Sequence, residues 1–185
     1  AATRRLYGLD NPVTEEYGRR CLIARRLVER GVRYVQLFLS GQPWDTHDKN
    51  AERLKGLCAQ TDQPSAALVK DLKARGLLDS TVVLWTGEFG RLPISQGKDG
   101  RDHNRHAFSL WAAGGGFKSG YVHGATDEFG YKSVQDVVSV HDFHATLLHL
   151  LGLDHAALRF RHEGREASLT DPEVTGARMV PALLA

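Results

Sequence analysis

Nine histidines stand among 185 residues, and several of them sit in polar stretches beside Asp, Glu or Asn. GQPWDTHDKN carries Asp45 and His47, TGEFGR carries Glu88 and Arg91, and GRDHN carries Arg101, Asp102 and His103. Carboxylate oxygens and neutral imidazole nitrogens are what a zinc-type or other divalent transition-metal site needs, with open positions left for water or substrate. A metal held in that way makes hydroxide available near neutral pH and offsets the charge of a phosphoryl-like transition state. Arg91 or Arg101 offers a bidentate donor to a tetrahedral oxyanion. Each motif alone has a plainer reading: Asp45 and His47 as caps of the helix that follows, Glu88 as a solvated turn residue, His103 as a surface histidine. Their convergence at three predicted strand boundaries favours a site.

The elements that must position these residues follow from periodicity. Apolar or small residues at Tyr17, Cys21, Ala24, Leu27 and Val28 predict a helix over 13–30, with Thr14 placed to cap its start and Gly31 its end. VRYVQLFLS, from Val32, reads as a strand that stops at Gly41 and Pro43, and 51–76 as one or two helices broken near Pro64. TVVLWTG, from Thr81, is apolar on both faces, as buried parallel strands are. AFSLWAAGGG, from Ala107, gives a third strand, and a helix is expected from Ser139 to Gly152 with Asp142 in its first turn. The tail holds a short strand near Phe160 and a final helix disturbed by Pro181.

This order is α/β, and in open α/β sheets ligands bind beyond the carboxyl ends of the strands. Asp45 and His47 fall just past the first strand, and Glu88 and Arg91 just past the second. His103 can meet Glu88 only if the third strand runs antiparallel to the second. His144 and His149 read as packing or hydrogen-bonding residues, and His123 fits either the site or the surface.

Composition narrows the classes. With 42% hydrophobic and 25% charged residues, the chain reads as one compact domain over 1–185. The net charge of +2 comes from 24 basic and 22 acidic residues scattered along the chain, so no basic block points to nucleic acid or a membrane surface. No apolar run reaches the ~18 residues of a membrane span. Cys21 and Cys58 are too few for a disulfide framework. Gly114 to Gly116 follow a strand without the GxGxxG-to-helix context of a dinucleotide site.

From Pro43 to Asp171, the strings WDTHDKN, TVVLWTGEFGR, GRDHNRHAFSLWAAGGGFKSGYVHGATDEFG, VHDFHATLLHLLGLDH and GREASLTD together resemble a bacterial family of sulfatase-like proteins in the alkaline phosphatase superfamily. The resemblance implies a three-layer sandwich with a mostly parallel sheet, of which this chain is the carboxyl-terminal portion. It also implies a hydrolase of sulfate or phosphate esters that uses a divalent metal such as zinc, manganese or calcium. Asp45 and His47 look like the pair of one metal site, His103 like the histidine that completes it, and Glu88 like a ligand of a second metal. The superfamily's nucleophile belongs to the amino-terminal half, so none is expected in this chain. The expected partners are an anionic ester substrate and either a second copy or that amino-terminal half, and the resemblance leans towards the periplasm or the exterior. The alternative function is a non-catalytic metal-containing domain that binds anionic ligands or a protein partner.

Overall fold

The computed structural model describes residues 1–185. In chain order the elements are α1 (Ala2–Leu6), α2 (Glu15–Glu29), α3 (Asn50–Ala74), β1 (Val83–Trp85), β2 (Gly90–Arg91), β3 (His103–Asn104), β4 (Trp111–Ala113), β5 (Ala125–Thr126), β6 (Ser133–Gln135), α4 (Val140–Leu150), β7 (Arg159–His162), β8 (Arg165–Ser168) and α5 (Pro172–Thr175). No helix is long and apolar enough to cross a membrane.

The sheet differs from the expected parallel one. Four separate two-stranded ladders form, β1 with β4, β2 with β3, β5 with β6 and β7 with β8, and every one is antiparallel. The mostly parallel three-layer sandwich is therefore overturned. An apolar run reports burial but says nothing about which strand lies alongside or in which direction it points. The antiparallel relation expected between the second and third apolar runs is present, with Val83 opposite Ala113 and Trp85 opposite Trp111.

Val32 to Ser40 was expected to be a strand, and it pairs with nothing. Its backbone is free of main-chain hydrogen bonds from Arg33 to Gly41, and the carbonyl of Phe38 is met by the Arg20 side chain. Alternate residues Val35, Leu37 and Leu39 are half-buried, while Tyr34 and Phe38 face solvent. The segment thus has the two-residue alternation of a strand without a ladder.

The apolar core lies among the first three helices, where Tyr7, Leu9, Cys21, Leu22 and Ala67 pack together and Tyr17, Leu37 and Leu68 cover them. Beside it sits a buried ion network. Asp71 Oδ2 accepts from Tyr7 Oη at 2.9 Å and Arg25 Nε at 2.8 Å, and its Oδ1 accepts from Arg75 Nε at 2.8 Å. Pro64 does not break α3: it is almost fully buried against this core, and the packing outweighs the one backbone bond a proline forfeits. Thr14 precedes α2 as expected, yet its hydroxyl donates to the Gly8 carbonyl at 2.7 Å and leaves the helix end uncapped.

α4 begins as its sequence predicts. Ser139 Oγ accepts from the Asp142 amide at 3.0 Å, and Asp142 Oδ2 accepts from the Ser139 amide at 3.1 Å, which is a capping box. Asp142 Oδ1 also accepts from the Arg178 amide at 2.9 Å, so this side chain fastens the tail to the helix start. The expected final helix is reduced to α5 and one 3-10 turn at Pro181–Leu183.

Only 23 of 185 residues are buried, and the accessible surface is 12449 Å². A compact monomer of 20.5 kDa would expose about 8,900 Å². The difference includes Tyr34, Phe38, Val122, Phe129 and Val137, all large apolar side chains open to solvent.

Candidate metal centre

Two loops build the site. The first, 41–49, leads into α3. The second, 86–106, contains the β2–β3 ladder, in which Gly90 opposes Asn104 and Arg91 opposes His103. The backbone ties them together: Arg101 N donates to Thr46 O at 2.9 Å, Asn50 N to Asp99 O at 3.0 Å, and Lys49 N to Asp99 Oδ1 at 2.9 Å. Gly100 lies so close to the first loop that a Cβ there would stand 2.0 Å from the His47 carbonyl oxygen. Buried polar anchors flank the side chains of interest. Thr46, between Asp45 and His47, donates its hydroxyl to Asn50 Oδ1 at 2.6 Å. Asn104, next to His103, donates to Tyr131 O at 2.8 Å and accepts from the His106 amide at 2.9 Å.

On this frame Asp45, His47 and His103 come together with their ligand atoms mutually within reach of one ion. Asp45 Oδ1 lies 3.1 Å from His47 Nε2 and 3.0 Å from His103 Nε2, and the two Nε2 atoms are 3.2 Å apart. One triangular face of a tetrahedral zinc site, with bonds of ~2.0–2.1 Å, has edges of ~3.4 Å. The triangle is slightly tighter than that and needs no rearrangement of the chain to reach it.

The surroundings polarise the triad. His47 Nδ1 is 3.5 Å from Asp102 Oδ1, and Asp102 Oδ2 is held by the Gln96 amide at 2.7 Å. The contact with His47 is too long for a hydrogen bond, and the charge of the carboxylate on this side favours a proton on Nδ1, which leaves Nε2 free for a metal. Phe89 stacks beside His103, with ring centroids 4.3 Å apart. Arg91 Nη1 donates to Asp45 Oδ1, and Arg91 Cζ lies 5.5 Å from the Phe89 ring centre. The hydrogen bonds from His103 and Arg91 push the Asp45 carboxyl down to about 2, so it is charged at any ordinary pH. All three ligands are reachable from solvent, with side-chain exposures of 28% for Asp45, 51% for His47 and 48% for His103.

The other expected site residues are placed differently. Glu88 stays outside the triad, exposed, with Oε1 3.8 Å from Arg91 Nη2. Arg101 turns back to donate to its neighbour's carbonyl, Gly100 O, at 2.7 Å. His123 pairs with Tyr121 Oη at 3.2 Å, and His144 and His149, expected to pack or hydrogen-bond, are exposed. The positions of Asp102 and Phe89 around the triad had no signal in the sequence beyond adjacency to His103 and Glu88. They come from the β2–β3 pairing, which periodicity does not reveal. Gly114 and Gly115 are explained by close approach: a Cβ would stand 2.3 Å from Leu78 O at the first and 2.3 Å from Val82 Cγ2 at the second.

Fold and site together describe an α+β protein with an open His-His-Asp candidate metal centre held between two loops. The chain belongs to the family described as protein of unknown function (DUF1501), which matches residues 1–184. That membership overturns the sulfatase-like identification drawn from the motifs, because the family carries no assigned activity. No curated protein and no solved structure matches the chain.

Proposed function

We propose that the chain holds one divalent transition metal at Asp45, His47 and His103 and serves the hydrolysis of phosphate or sulfate esters there. The observation that carries the reading is the triangle of one carboxylate oxygen and two imidazole nitrogens with edges of 3.0, 3.1 and 3.2 Å. Two nitrogen donors favour zinc, manganese or iron over calcium, which takes oxygen ligands. When bound, such a metal supplies a hydroxide nucleophile near neutral pH and neutralises developing charge. Asp102 orients His47, Phe89 supports the ring of His103, and Arg91 provides a cation at the rim for an anionic group.

A second reading, a metal-containing domain that binds anions or a partner without turnover, draws on one observation. The hydroxyl between two of the ligands, on Thr46, is buried and engaged with Asn50, so it offers no protein nucleophile.

Elemental analysis of untagged protein, compared with Asp45→Ala and His103→Ala, tests the centre. Near-stoichiometric zinc, manganese or iron in the parent and its loss in both variants is the expected result. Absence of metal in the parent after incubation with these ions would overturn it. Turnover of aryl phosphates or aryl sulfates by the loaded protein, lost in Asp45→Ala, distinguishes the hydrolase from the binding domain.

A further inference from the structure

Asp45 Oδ1 accepts from the guanidinium of Arg91 and is hydrogen-bonded to His103 Nε2 at 3.0 Å, with His47 Nε2 3.1 Å away. The oxygen that completes the metal triangle is therefore already occupied by a positive charge of the chain itself. A metal cation that takes this oxygen adds its charge beside the guanidinium and competes for the same lone pairs, which weakens the hold of Arg91 on Asp45.

We infer that Arg91 is an internal stand-in cation that the metal displaces from Asp45, and that the released guanidinium becomes the binding group for a tetrahedral oxyanion next to the metal. The inference rests on the metal centre proposed above and adds a coupling between metal and anion. Arg91 is suited to both positions. Its backbone is fixed opposite His103 in the β2–β3 ladder, so release moves the side chain and leaves the residue at the rim of the site. Its guanidinium lies against the face of Phe89, which holds a planar cation in place without using any of its hydrogen-bond donors. The other charged groups nearby are Glu88, 3.8 Å from Arg91, and Asp102 behind His47. Glu88 forms an exposed ion pair with Arg91, which solvent screens, and so competes weakly for the freed fork. A planar fork beside a metal is the arrangement that grips a sulfate or phosphate group at two oxygens.

The coupling is reciprocal: whatever factor the anion adds to metal affinity, the metal adds to anion affinity. Zinc is titrated against a chromophoric chelator into metal-free parent, Arg91→Gln and Arg91→Lys, at constant ionic strength, with and without inorganic sulfate. In the parent, sulfate is expected to tighten zinc several-fold. Arg91→Gln should bind zinc several-fold more tightly than the parent without sulfate and show no sulfate effect. Arg91→Lys keeps the competing charge but not the fork, so its zinc affinity stays near the parent's while the sulfate effect shrinks. Zinc binding of equal affinity in the parent and Arg91→Gln, unmoved by sulfate, overturns the exchange while leaving the metal centre standing. No zinc uptake by any of the three overturns both.

Discussion

His47 and His103 face each other Nε2 to Nε2 at 3.2 Å although 56 residues separate them in the chain. Each imidazole turns one ring nitrogen towards a point that Asp45 also borders. The arrangement is a chelate in waiting, and the proteins that would test it differ from the parent by single side chains.

The residue behind the triad should matter almost as much as the ligands. Asp102→Asn keeps the shape but weakens the hold on His47 Nδ1, and metal affinity is expected to fall about 10–100-fold. Chelator competition reads this directly. An unchanged affinity would mean that the 3.5 Å contact does not orient the ring.

Gly100→Ala should damage the centre without touching a ligand. The new methyl would lie 2.0 Å from the His47 carbonyl, so the loop bearing His47 must move away. Metal uptake is expected to drop sharply while the far-UV circular dichroism of α2 and α3 stays as in the parent. Full metal occupancy in this variant would show that the loops accommodate the methyl group.

Acid should strip the metal through the histidines. Metal binding needs neutral imidazoles, whereas Asp45, held down to about 2, stays charged until the pH falls close to that value. Metal release in acid should therefore follow the imidazoles rather than the carboxylate, and the number of protons released per metal bound should rise as the pH of the titration is lowered. Isothermal titration in buffers of different ionisation enthalpy counts them.

Asp71 should carry much of the stability of the helical part. Asp71→Ala leaves Arg25, 4% exposed, with Glu29 as its one remaining carboxylate, and removing a partner from a buried pair in this way costs up to roughly 3–5 kcal/mol. Burial alone would raise the Asp71 carboxyl, but the bonds from Arg75 and Tyr7 and the charge of Arg25 more than reverse this, and it lies below the usual range. A lowered carboxylate contributes stability that is present above its unfolded value of ~3.9 and is lost as pH falls through the folded value. Urea titrations should thus separate parent from variant by a constant margin at neutral pH, and by a shrinking one below about pH 4.

Thiol chemistry offers a check on the core. Cys58 is exposed, whereas Cys21 is 1% exposed and burial pushes its thiol up to about 11. One thiol should react with a disulfide reagent within the mixing time and the second only in denaturant. Two fast thiols would mean that the cluster around Tyr7 and Leu22 is not closed.

Local chemistry was the most legible part of the sequence. Ser139 and Asp142 wrote the start of α4 because a capping box needs only residues three apart, and the triad was readable because Asp45 and His47 share one loop. His103 was joined to them through the likeness of the motifs, whereas the strand-direction argument, whose antiparallel pairing β1 and β4 show, aimed it at Glu88, which stays outside the triad. The parallel sheet failed because an apolar stretch such as Val32 to Ser40 specifies extended backbone but not a neighbour. Pro64 misled for a related reason: its cost is local, and the burial that outweighs it comes from residues far away in sequence. Glu88 and Arg101 are near the triad in sequence, yet where each side chain points is decided by the turns that carry them.

The closed apolar cluster belongs to α2, α3 and the residues before them, whereas the loops that bear Asp45, His47 and His103 lie outside it. Free energies of opening should therefore be graded along the molecule. Amides of Gly100 to Asn104 should exchange with solvent by small fluctuations, and those of Cys21 to Ala24 only when the helices separate. A metal bridging the two loops would slow the first group and leave the second unchanged, giving the chain a locally tunable rigidity in the segment where its chemistry resides.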